Sequence, residues 1–401
     1  MIKRSDFPIL ARQINGHKLV YFDNAATSQK PQAVINAISD FYSTYNSNVH
    51  RGINPLAEEA TKAYENSRDV AAEFIGADRE EVIFTRGATE GINLVARTWG
   101  EANLRSGDIV VLSLAEHHAN IVPWLQLKDK LNIKLLYIPL QSDGALDRKA
   151  ARKILAEPRV RLLAISQASN VLGIVNPVKE LIALARGRKI VTLVDAAQSI
   201  VHVPVNIKDL NCDFLVFSGH KILGPTGVGV LYGRRKILQA MPPYLGGGDM
   251  ISSVYSDHFM ANVLPYKFEA GTPNIAGVIG LAAALRYLNK LGWPAIARQE
   301  KILTAYFLQE LKSLPFVRLL GTAKPKLPVF SLAIDHIHPH DAADILGQEG
   351  IILRAGHHCA QPLHDFCSVP ATLRASLSFY NTTAEISVFI KKLKILYRAF
   401  K

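Results

Sequence analysis

The chain has 401 residues, of which 49% are hydrophobic and 20% are charged, and its formal net charge is +12. This length favours two domains, and the composition is that of a globular protein, not of a disordered or fibrous one. No apolar run reaches the roughly 18 residues of a membrane-spanning helix, so no membrane association is expected. The basic runs at 186–189, 234–236 and 391–394 are short and scattered. Such runs are typical of solvated helix faces, and we do not expect a nucleic-acid partner.

The N-terminus becomes charged at once and has no apolar segment before a small-residue cleavage site, so no signal peptide is predicted. The chain has three cysteines, Cys212, Cys359 and Cys367. Their number is odd and their spacing fits no zinc ribbon. We therefore expect reduced thiols and a cytoplasmic protein.

Strand-like and helix-like segments alternate through the middle of the chain. The predicted strands are 81–85, 108–113, 133–139, 160–167 and 189–195, and the helices between them include 89–104 and 177–186. The strands are too uniformly apolar to face water on one side, which indicates a parallel sheet covered on both faces. This is the pattern of a doubly wound α/β domain, whose ligands bind outside the carboxyl ends of the strands.

The pattern changes after about residue 290. The predicted elements are a helix at 294–314, strands at 316–320 and 329–334, a helix at 341–348, a strand at 351–354 and a final helix. Thr382 and Glu385 form a capping box at the start of that final helix. We predict a large domain over 20–290 and a smaller α+β domain formed by 1–19 and 291–401.

Lys221 is the most informative residue. It ends the segment Phe-Ser-Gly-His-Lys at 217–221 after an apolar run, and Asp195 ends an earlier apolar run. This is the pair that pyridoxal phosphate chemistry requires, because a lysine carries the cofactor's aldehyde as a Schiff base and a carboxylate keeps its pyridine nitrogen protonated. The alternative interpretation is an exposed lysine and a helix-capping aspartate.

Two further segments could serve the same cofactor. The turn 87–91, Gly-Ala-Thr-Glu-Gly, joins a strand to a helix, and a helix N-terminus with the Thr89 hydroxyl favours a phosphate. His117 follows the strand that ends at Ser113, so its ring could lie on the cofactor and move protons. The alternatives are an ordinary turn and a polar residue at a helix end.

The segment 354–360, Arg-Ala-Gly-His-His-Cys-Ala, places Cys359 near Arg354, His357 and His358. Positive charge near an exposed thiol favours the thiolate, although a half-buried structural cysteine is the open alternative. Consecutive residues do not converge readily on one ion, and the histidines at 336, 338 and 340 lack a further ligand cluster, so no metal site is predicted. Arg374, on a strand facing the cleft, could bind a carboxylate with two hydrogen bonds.

These motifs, in this order, resemble the cysteine desulfurases of pyridoxal phosphate fold type I, in the class V aminotransferase group. The resemblance runs nearly end to end through the segments 21–27, 49–52, 116–124, 169–173, 218–221, 269–274, 356–360 and 374–377. The short Arg-x-Gly-His-His-Cys-Ala loop is similar to the Suf-type (group II) branch, whereas the Isc-type branch has a longer loop. The resemblance implies a large domain with a mainly parallel seven-stranded sheet and a smaller α+β domain.

The resemblance also implies roles for individual residues. The catalytic residues would be Lys221, Cys359 and His117. The groups that hold pyridoxal 5'-phosphate would be Ala88, Thr89, His117, Asp195, Gln198, Ser218, His220, Lys221 and Thr272. The substrate would be bound by His50, Asn170, Arg354 and Arg374. Thr272 would reach the phosphate of the partner subunit in a homodimer, and Ala88 stands where related sequences often carry a second threonine.

The activity implied by the resemblance is conversion of L-cysteine to L-alanine, with the sulfur held as a persulfide on Cys359. A sulfur-acceptor protein of the SufE or SufU type would carry that sulfur to iron-sulfur cluster assembly. Selenocysteine lyase is the alternative on the same scaffold. Another class V enzyme, such as a transaminase, would not need Cys359. A third alternative is a basic scaffold that binds RNA or a sulfur-transfer partner, which an intact cofactor site makes at most an added role.

Overall fold

A seven-stranded sheet forms the centre of the molecule in the computed structural model, which describes residues 2–401. Its strands lie in the order Val82–Thr85, Gly229–Gly233, Phe214–Ser218, Val191–Asp195, Val160–Ser166, Ile109–Ser113, Lys134–Ile138. Every neighbouring pair is parallel except those made by Gly229–Gly233, which is antiparallel to both of its neighbours. The predicted, mainly parallel sheet is confirmed.

The antiparallel strand Gly229–Gly233 was missing from the predicted elements. It returns beside Phe214–Ser218 through a short segment that contains only a single helical turn at Gly219–Lys221. A connection of that length cannot cross the sheet to make a parallel neighbour, so the returning strand has to be antiparallel.

Helices cover both faces of this sheet, except that Pro339–Gln348 and Thr383–Phe400 pack on the C-terminal strands instead. The helices are Gln32–Thr44, Pro55–Ile75, Ala88–Val95, Glu101–Asn103, Val122–Leu131, Arg148–Leu155, Val178–Arg186, Ile207–Leu210, Arg235–Ala240, Ile275–Leu291, Trp293–Leu311, Pro339–Gln348, Gln361–Phe366 and Thr383–Phe400. A π-helical segment, Ala96–Gly100, joins the third helix to the fourth. Two large groups of buried apolar side chains pack between these helices and the sheet. Within residues 2–401, no helix is both long enough and apolar enough to cross a bilayer.

A second sheet of four antiparallel strands lies in the C-terminal part of the chain. Its order is Val317–Leu320, Val329–Ile334, Thr372–Ser376, Arg354–Gly356. Phe307, on the helix Trp293–Leu311, stacks on Phe330 with 4.0 Å between ring centroids. Short strands also pair at Gln13–Ile14 with His17–Lys18 and at Ile251–Val254 with Phe259–Ala261.

The single strand predicted at 351–354 is wrong. Ile351–Ile352 pairs in parallel with Val20–Tyr21, whereas Arg354–Gly356 joins the four-stranded sheet. The chain therefore changes from one sheet to another at Leu353. Further along, the Cys359 carbonyl accepts a hydrogen bond from the backbone N–H of His118, in the large domain. The predicted division into domains at residues 19 and 290 stays a prediction, although Phe7 does pack 4.4 Å from Tyr380, measured between ring centroids.

The capping box at the last helix is confirmed. The backbone N–H of Glu385 donates to the Thr382 hydroxyl at 3.2 Å, and the backbone N–H of Thr382 donates to the Glu385 carboxylate at 2.8 Å.

A buried ion pair ties the helix Pro55–Ile75 to the segment that carries Thr272. Arg68 donates from both terminal nitrogens to the Glu269 carboxylate, at 2.7 and 2.8 Å. The Arg68 side chain is 0% exposed and the Glu269 side chain is 7% exposed. The same carboxylate accepts from the backbone N–H of Phe84 at 2.7 Å. Because burial removes both charges from water, each partner depends on the other for compensation.

We predict that Glu269→Ala lowers the free energy of unfolding by about 3 kcal/mol, the lower end of the cost of breaking a buried ion pair, because the buried Arg68 guanidinium loses its two short contacts and keeps only the Glu65 carboxylate, 3.3 Å from Nε. The matched control is Glu80→Ala, which removes an exposed partner of Arg235 and should cost less than about 1 kcal/mol. Urea unfolding of both variants measures the difference. Equal costs for the two variants would contradict the importance of the buried pair.

Candidate active site

One cavity of about 280 Å³ opens at the carboxyl ends of the central parallel strands. It is lined by Ala25, Ala26, Ala88, Thr89, His117, Ala119, Ser166, Ala168, Asn170, Asp195, Ala197, Gln198, Ser218, His220, Lys221, Arg354, His358, Cys359 and Arg374. Every residue predicted for the site is in this set except His50 and Thr272. Lining residues come from both sheets and from the segment around Ala25, so distant parts of the chain meet here.

Lys221 and Asp195 reach the cavity from adjacent strand ends. Asp195 is the last residue of Val191–Asp195, and Lys221 ends the turn that follows Phe214–Ser218. Burial lowers the pKa of Lys221 to about 8, although attraction to Asp195 opposes the shift. Burial also raises the pKa of Asp195, while a hydrogen bond from the backbone N–H of Ala197, at 2.9 Å, favours the charged carboxylate. Near neutral pH, Lys221 is therefore an uncharged amine in a fraction of the molecules.

The His117 side chain is neutral and held in one tautomer. Its Nδ1 accepts a hydrogen bond from the backbone N–H of Ala119 at 3.0 Å, so the proton of the neutral ring is on Nε2. Burial, together with the positive charge of Lys221, lowers its pKa to about 3. The ring therefore offers the cavity a flat, uncharged face and an N–H donor.

The helix Ala88–Val95 points its N-terminus at the cavity. The backbone N–H of Ala88 donates to the Ser218 hydroxyl at 2.9 Å. Two glycines allow this close approach, because a Cβ on Gly229 would lie 2.5 Å from the Cα of Gly87. The first turn of a helix has free N–H groups, and with Thr89, Ser218 and His220 beside it this end is suited to an anionic group.

Gln198 lies deeper in the cavity wall. Its amide nitrogen donates to the backbone carbonyl of Ala25 at 2.7 Å. A primary amide has two N–H donors, so one remains for a ligand.

Two arginines share one carboxylate at the opposite end of the cavity. Arg354 donates to Asp23 through Nε and Nη2, at 3.1 and 3.0 Å, and Arg374 donates to Asp23 through Nη2 at 3.3 Å. Arg374 also donates through Nη1 to the backbone carbonyl of Asn170 at 3.0 Å. Burial lowers the pKa of Arg374 to about 10. Its Nε–H is buried without an acceptor among residues 2–401, so one donor of this guanidinium is unmatched.

The Cys359 loop is short and held at several points. The backbone N–H of His118 donates to the Cys359 carbonyl at 2.7 Å, and the Asn170 amide donates to the His358 carbonyl at 2.7 Å. His358 and Cys359 have φ values of 52° and 56°. Left-handed backbone is unfavourable for non-glycine residues, so these hydrogen bonds keep the thiol in a conformation that the loop alone does not favour.

Only one of the three cysteines is exposed. Cys359 is exposed at the cavity, Cys212 is buried and Cys367 is half-buried. Burial raises the pKa of Cys212 to about 12 and also raises that of Cys367. Cys359 is therefore the thiol that the structure makes available for chemistry.

The expectation that His358 supplies positive charge to Cys359 is wrong. Burial, together with the neighbouring Arg374 guanidinium, lowers the pKa of His358 to about 2, so its ring is neutral at physiological pH. Arg354 is half-exposed, lines the cavity and remains a cation near the thiol.

Three contributors to the site were not singled out from the sequence. Asp23 holds both arginines, and Ser166 lines the cavity. The third, Glu116, is fully buried and accepts from the Ser113 hydroxyl at 2.5 Å and from the Asn120 amide at 2.8 Å. Asp23 and Glu116 lie in segments that carried the resemblance, but only the folded chain shows what they contact.

His50 and Thr272 lie outside the cavity. His50 Nε2 is 2.9 Å from Glu65 Oε1, and Thr272 is exposed beside a second cavity of about 470 Å³ lined by Tyr64, Glu90 and Glu269 among others. Their predicted roles therefore involve no contact with the cavity of their own chain. Among residues 2–401, no group of three or more His, Cys, Asp or Glu side chains is arranged to hold a metal ion.

Comparison with known proteins agrees with this geometry. The family model described as aminotransferase class-V matches residues 20–389. The chain belongs to the class-V aminotransferase family. One relative is a protein of Klebsiella pneumoniae (strain 342) named cysteine desulfurase. The two sequences are 48% identical over 397 residues, which cover 98% of this chain and 97% of the relative.

Solved structures of class-V family relatives have the same fold. The apo cysteine desulfurase from Thermococcus onnurineus NA1 is 40% identical, with a TM-score of 0.94 over 99% of this chain and 97% of that one. The cysteine desulfurase CsdA (S-sulfonic acid) from Escherichia coli is 38% identical, with a TM-score of 0.90 over 99% of this chain and 98% of that one. The predicted α/β fold of type I is confirmed.

We predict that iodoacetamide modifies Cys359 of the native protein first, Cys367 more slowly and Cys212 only after unfolding. With a pKa of about 12, Cys212 is thiolate in only about one molecule in 10,000 at pH 8, and it is also inaccessible. Peptide mass spectrometry during the reaction gives the order. Modification of Cys212 before Cys359 would contradict the structure.

The buried Lys221 should also give the cofactor-free protein a pH-dependent stability. Its folded pKa of about 8 lies below the usual 10.5. Between these two pH values the unfolded chain therefore binds more protons at Lys221 than the folded protein does. Burial of Lys221 lowers the free energy of unfolding by its full amount below pH 8, and this effect fades as the pH rises to 10.5. We expect Lys221→Met to be more stable than the unsubstituted protein at pH 7, by about 1–3 kcal/mol.

This advantage of Lys221→Met should disappear by about pH 10.5, as measured by urea unfolding at each pH. Lys208→Met, at an exposed lysine, is the control and should show no such trend. A difference that does not vary with pH would argue against a depressed lysine pKa.

Proposed function

We propose that this protein is a pyridoxal phosphate-dependent cysteine desulfurase that converts L-cysteine to L-alanine and keeps the sulfur as a persulfide on Cys359. The observation that carries the proposal is that an exposed thiol, a buried lysine and a buried arginine line one cavity. The thiol can receive sulfur, the lysine can hold a cofactor and the arginine can hold a carboxylate. The relatives' names agree with this reading.

Family membership indicates pyridoxal 5'-phosphate as the cofactor, and the cavity fits it. Asp195 would face the pyridine nitrogen, Lys221 would bind the aldehyde, and Thr89, Ser218 and His220 would hold the phosphate at the helix N-terminus. The backbone N–H of Ala88 is already used by Ser218, and Ala88 has no hydroxyl, so the phosphate site has one side-chain donor fewer than a threonine would give. When bound, the cofactor supplies an aldehyde that condenses with amino groups and a protonated ring that withdraws electrons from the substrate.

The residues around the cofactor position can bind the substrate and move its protons. Arg374, helped by the free N–H of the Asn170 amide, would hold the substrate carboxylate. Lys221, with its lowered pKa, is able to accept the Cα proton and return it, because such exchange requires a base that is partly neutral at working pH. The neutral His117 can lie flat against a ring and donate from Nε2.

Cys359 would then receive the sulfur. Its thiolate attacks the substrate sulfur, the new S–S bond forms as the Cβ–S bond breaks, and the carbon skeleton gains a proton and leaves as L-alanine. Arg354 supplies the nearby positive charge that favours the thiolate. An ordinary transaminase has no need of a thiol here, and no observation favours selenocysteine lyase.

We further propose that the protein acts as a homodimer. Thr272 and His50 lie outside their own cavity, where they would be able to serve the cavity of a second subunit. The hairpin formed by Ile251–Val254 and Phe259–Ala261 supports this arrangement, because it exposes Val254 at 65%, Tyr255 at 54% and Phe259 at 52%. Apolar side chains exposed together in this way are typical of an interface.

The anchored Cys359 loop also suggests how the sulfur leaves. A thiol fixed by hydrogen bonds to its loop carbonyls cannot swing far to find an acceptor. We propose that an acceptor protein, of the SufE or SufU type, comes to the cavity mouth and carries sulfur to iron-sulfur cluster assembly. We also propose that residues 20–290 form the cofactor-binding domain and that 1–19 with 291–401 form the smaller one.

The decisive test is the Cys359→Ser variant incubated with cysteine. We expect alanine formation to fall at least about 100-fold, because a hydroxyl is a poor nucleophile towards sulfur, while the absorbance of the bound cofactor stays unchanged. Cys367→Ser is the matched control and should retain activity. Alanine release at an unchanged rate from Cys359→Ser would exclude the proposed role.

A further inference from the structure

A chain of three buried side chains beside Cys359 has a definite hydrogen-bond direction. His364 Nδ1 lies 3.0 Å from the carbonyl of Ala360, which can only accept, so Nδ1 carries the proton. In the neutral His364 ring, Nε2 is then an acceptor, and the Thr372 hydroxyl, at 3.1 Å, donates to it. The oxygen of Thr372 therefore accepts from His358 Nε2, which lies 2.9 Å away.

This direction fixes the tautomer of His358. Its proton is on Nε2, so Nδ1 carries a lone pair. That Nδ1 is buried and has no donor among residues 2–401. A buried acceptor without a donor is rare and calls for an explanation in terms of function or a missing partner.

A complementary unsatisfied donor belongs to the neighbouring Arg374, whose Nε–H is also buried without an acceptor in the described chain. Thr372 and Arg374 are two residues apart on the strand Thr372–Ser376, so their side chains project from the same face. Because His358 is bonded to Thr372 and the Arg374 charge acts on its ring, the unmatched acceptor and donor lie in one buried neighbourhood.

His358 is also connected to the thiol. It directly precedes Cys359, both residues have left-handed φ, and its carbonyl accepts from the Asn170 amide. The side chains proposed to hold the substrate carboxylate thus both act on His358, Arg374 through its charge and Asn170 through the hydrogen bond to the His358 carbonyl.

We propose that His358 is a positioning residue that couples occupancy of the carboxylate site to the conformation of Cys359. A bound carboxylate draws the terminal nitrogens of Arg374 away from Asp23 and from the carbonyl of Asn170, and the reoriented Nε–H donates to His358 Nδ1. This hydrogen bond fixes the loop with the thiol directed into the cavity. The coupling rests on the proposed function, and it makes Cys359 less accessible when substrate is present.

Two substitutions separate this role from simple anchoring of the loop. In His358→Gln the amide can replace Nε2 and keep the contact with Thr372, but no acceptor stands at Nδ1. In His358→Asn the amide oxygen can replace Nδ1, but the contact with Thr372 is lost. Coupling predicts that the glutamine variant is the defective one, whereas anchoring predicts that the asparagine variant is.

The experiment measures iodoacetamide modification of Cys359 in the holoprotein, with and without L-alanine, which carries the amino and carboxylate groups but no sulfur. In the unsubstituted protein, alanine should slow the reaction about fivefold or more. In His358→Gln this protection should be lost, and kcat for cysteine should fall about tenfold with little change in KM. His358→Asn should keep most of both.

Protection that persists in His358→Gln, or that is lost only in His358→Asn, would overturn the proposal. Nitrogen NMR of the unsubstituted holoprotein labelled with ¹⁵N-histidine gives a second measurement, which needs no variant to fold. Alanine should shift one unprotonated Nδ1 resonance towards the frequency of a hydrogen-bonded nitrogen, and no such shift would also overturn it. If alanine leaves the cofactor absorbance unchanged at saturating concentration, product binding, and with it the proposed function, has failed instead.

Discussion

The cost of removing Lys221 and Asp195 from water is the constraint on which the site depends. Both side chains are buried at adjacent strand ends. Burial lowers the pKa of Lys221 and raises the pKa of Asp195, which favours the neutral form of each, while their mutual attraction opposes both shifts. A parallel sheet covered by helices has few places where polar groups can be tolerated, and the carboxyl edge of the strands is one of them. The fold thus produces a reactive amine by desolvation, at a position where a cofactor can compensate the lost hydration.

Positive charge at the other end of the cavity is balanced in a similar way. Asp23 accepts from Arg354 and Arg374, so the two guanidinium groups lie together without a large net charge. This pairing still leaves one Arg374 donor unmatched. The same end of the cavity holds Cys359 in a backbone conformation that is stabilised by contacts from His118 and Asn170. The proposed carboxylate site and the proposed sulfur-carrying thiol therefore share supporting contacts.

Much of this arrangement could be predicted from the sequence, because its signals are local. Uniformly apolar runs predicted the parallel strands, and the motifs around Asp195, Lys221 and Cys359 singled out residues that the structure brings to one cavity. The antiparallel strand Gly229–Gly233 and the change of sheet at Leu353 depend on which strands become neighbours, which no local pattern specifies. The position of Asp23, 331 residues from Arg354, and the neutral state of His358 depend on tertiary contacts and burial. The predicted roles of His50 and Thr272 stay predictions, because a single chain does not bring these residues to its own cavity.

The central claim is that the buried Lys221, facing Asp195, is the residue that holds the cofactor. Borohydride reduction of the protein loaded with pyridoxal phosphate, followed by peptide mass spectrometry, tests it directly. We expect one modified lysine, Lys221, and no modification in Lys221→Ala. Lys30 is the sharpest rival, because burial lowers its pKa to about 8 as well and it donates to the carbonyl of His220 at 3.0 Å. An adduct on Lys30, with Lys221 unmodified, would show that Lys221 is not the residue that holds the cofactor.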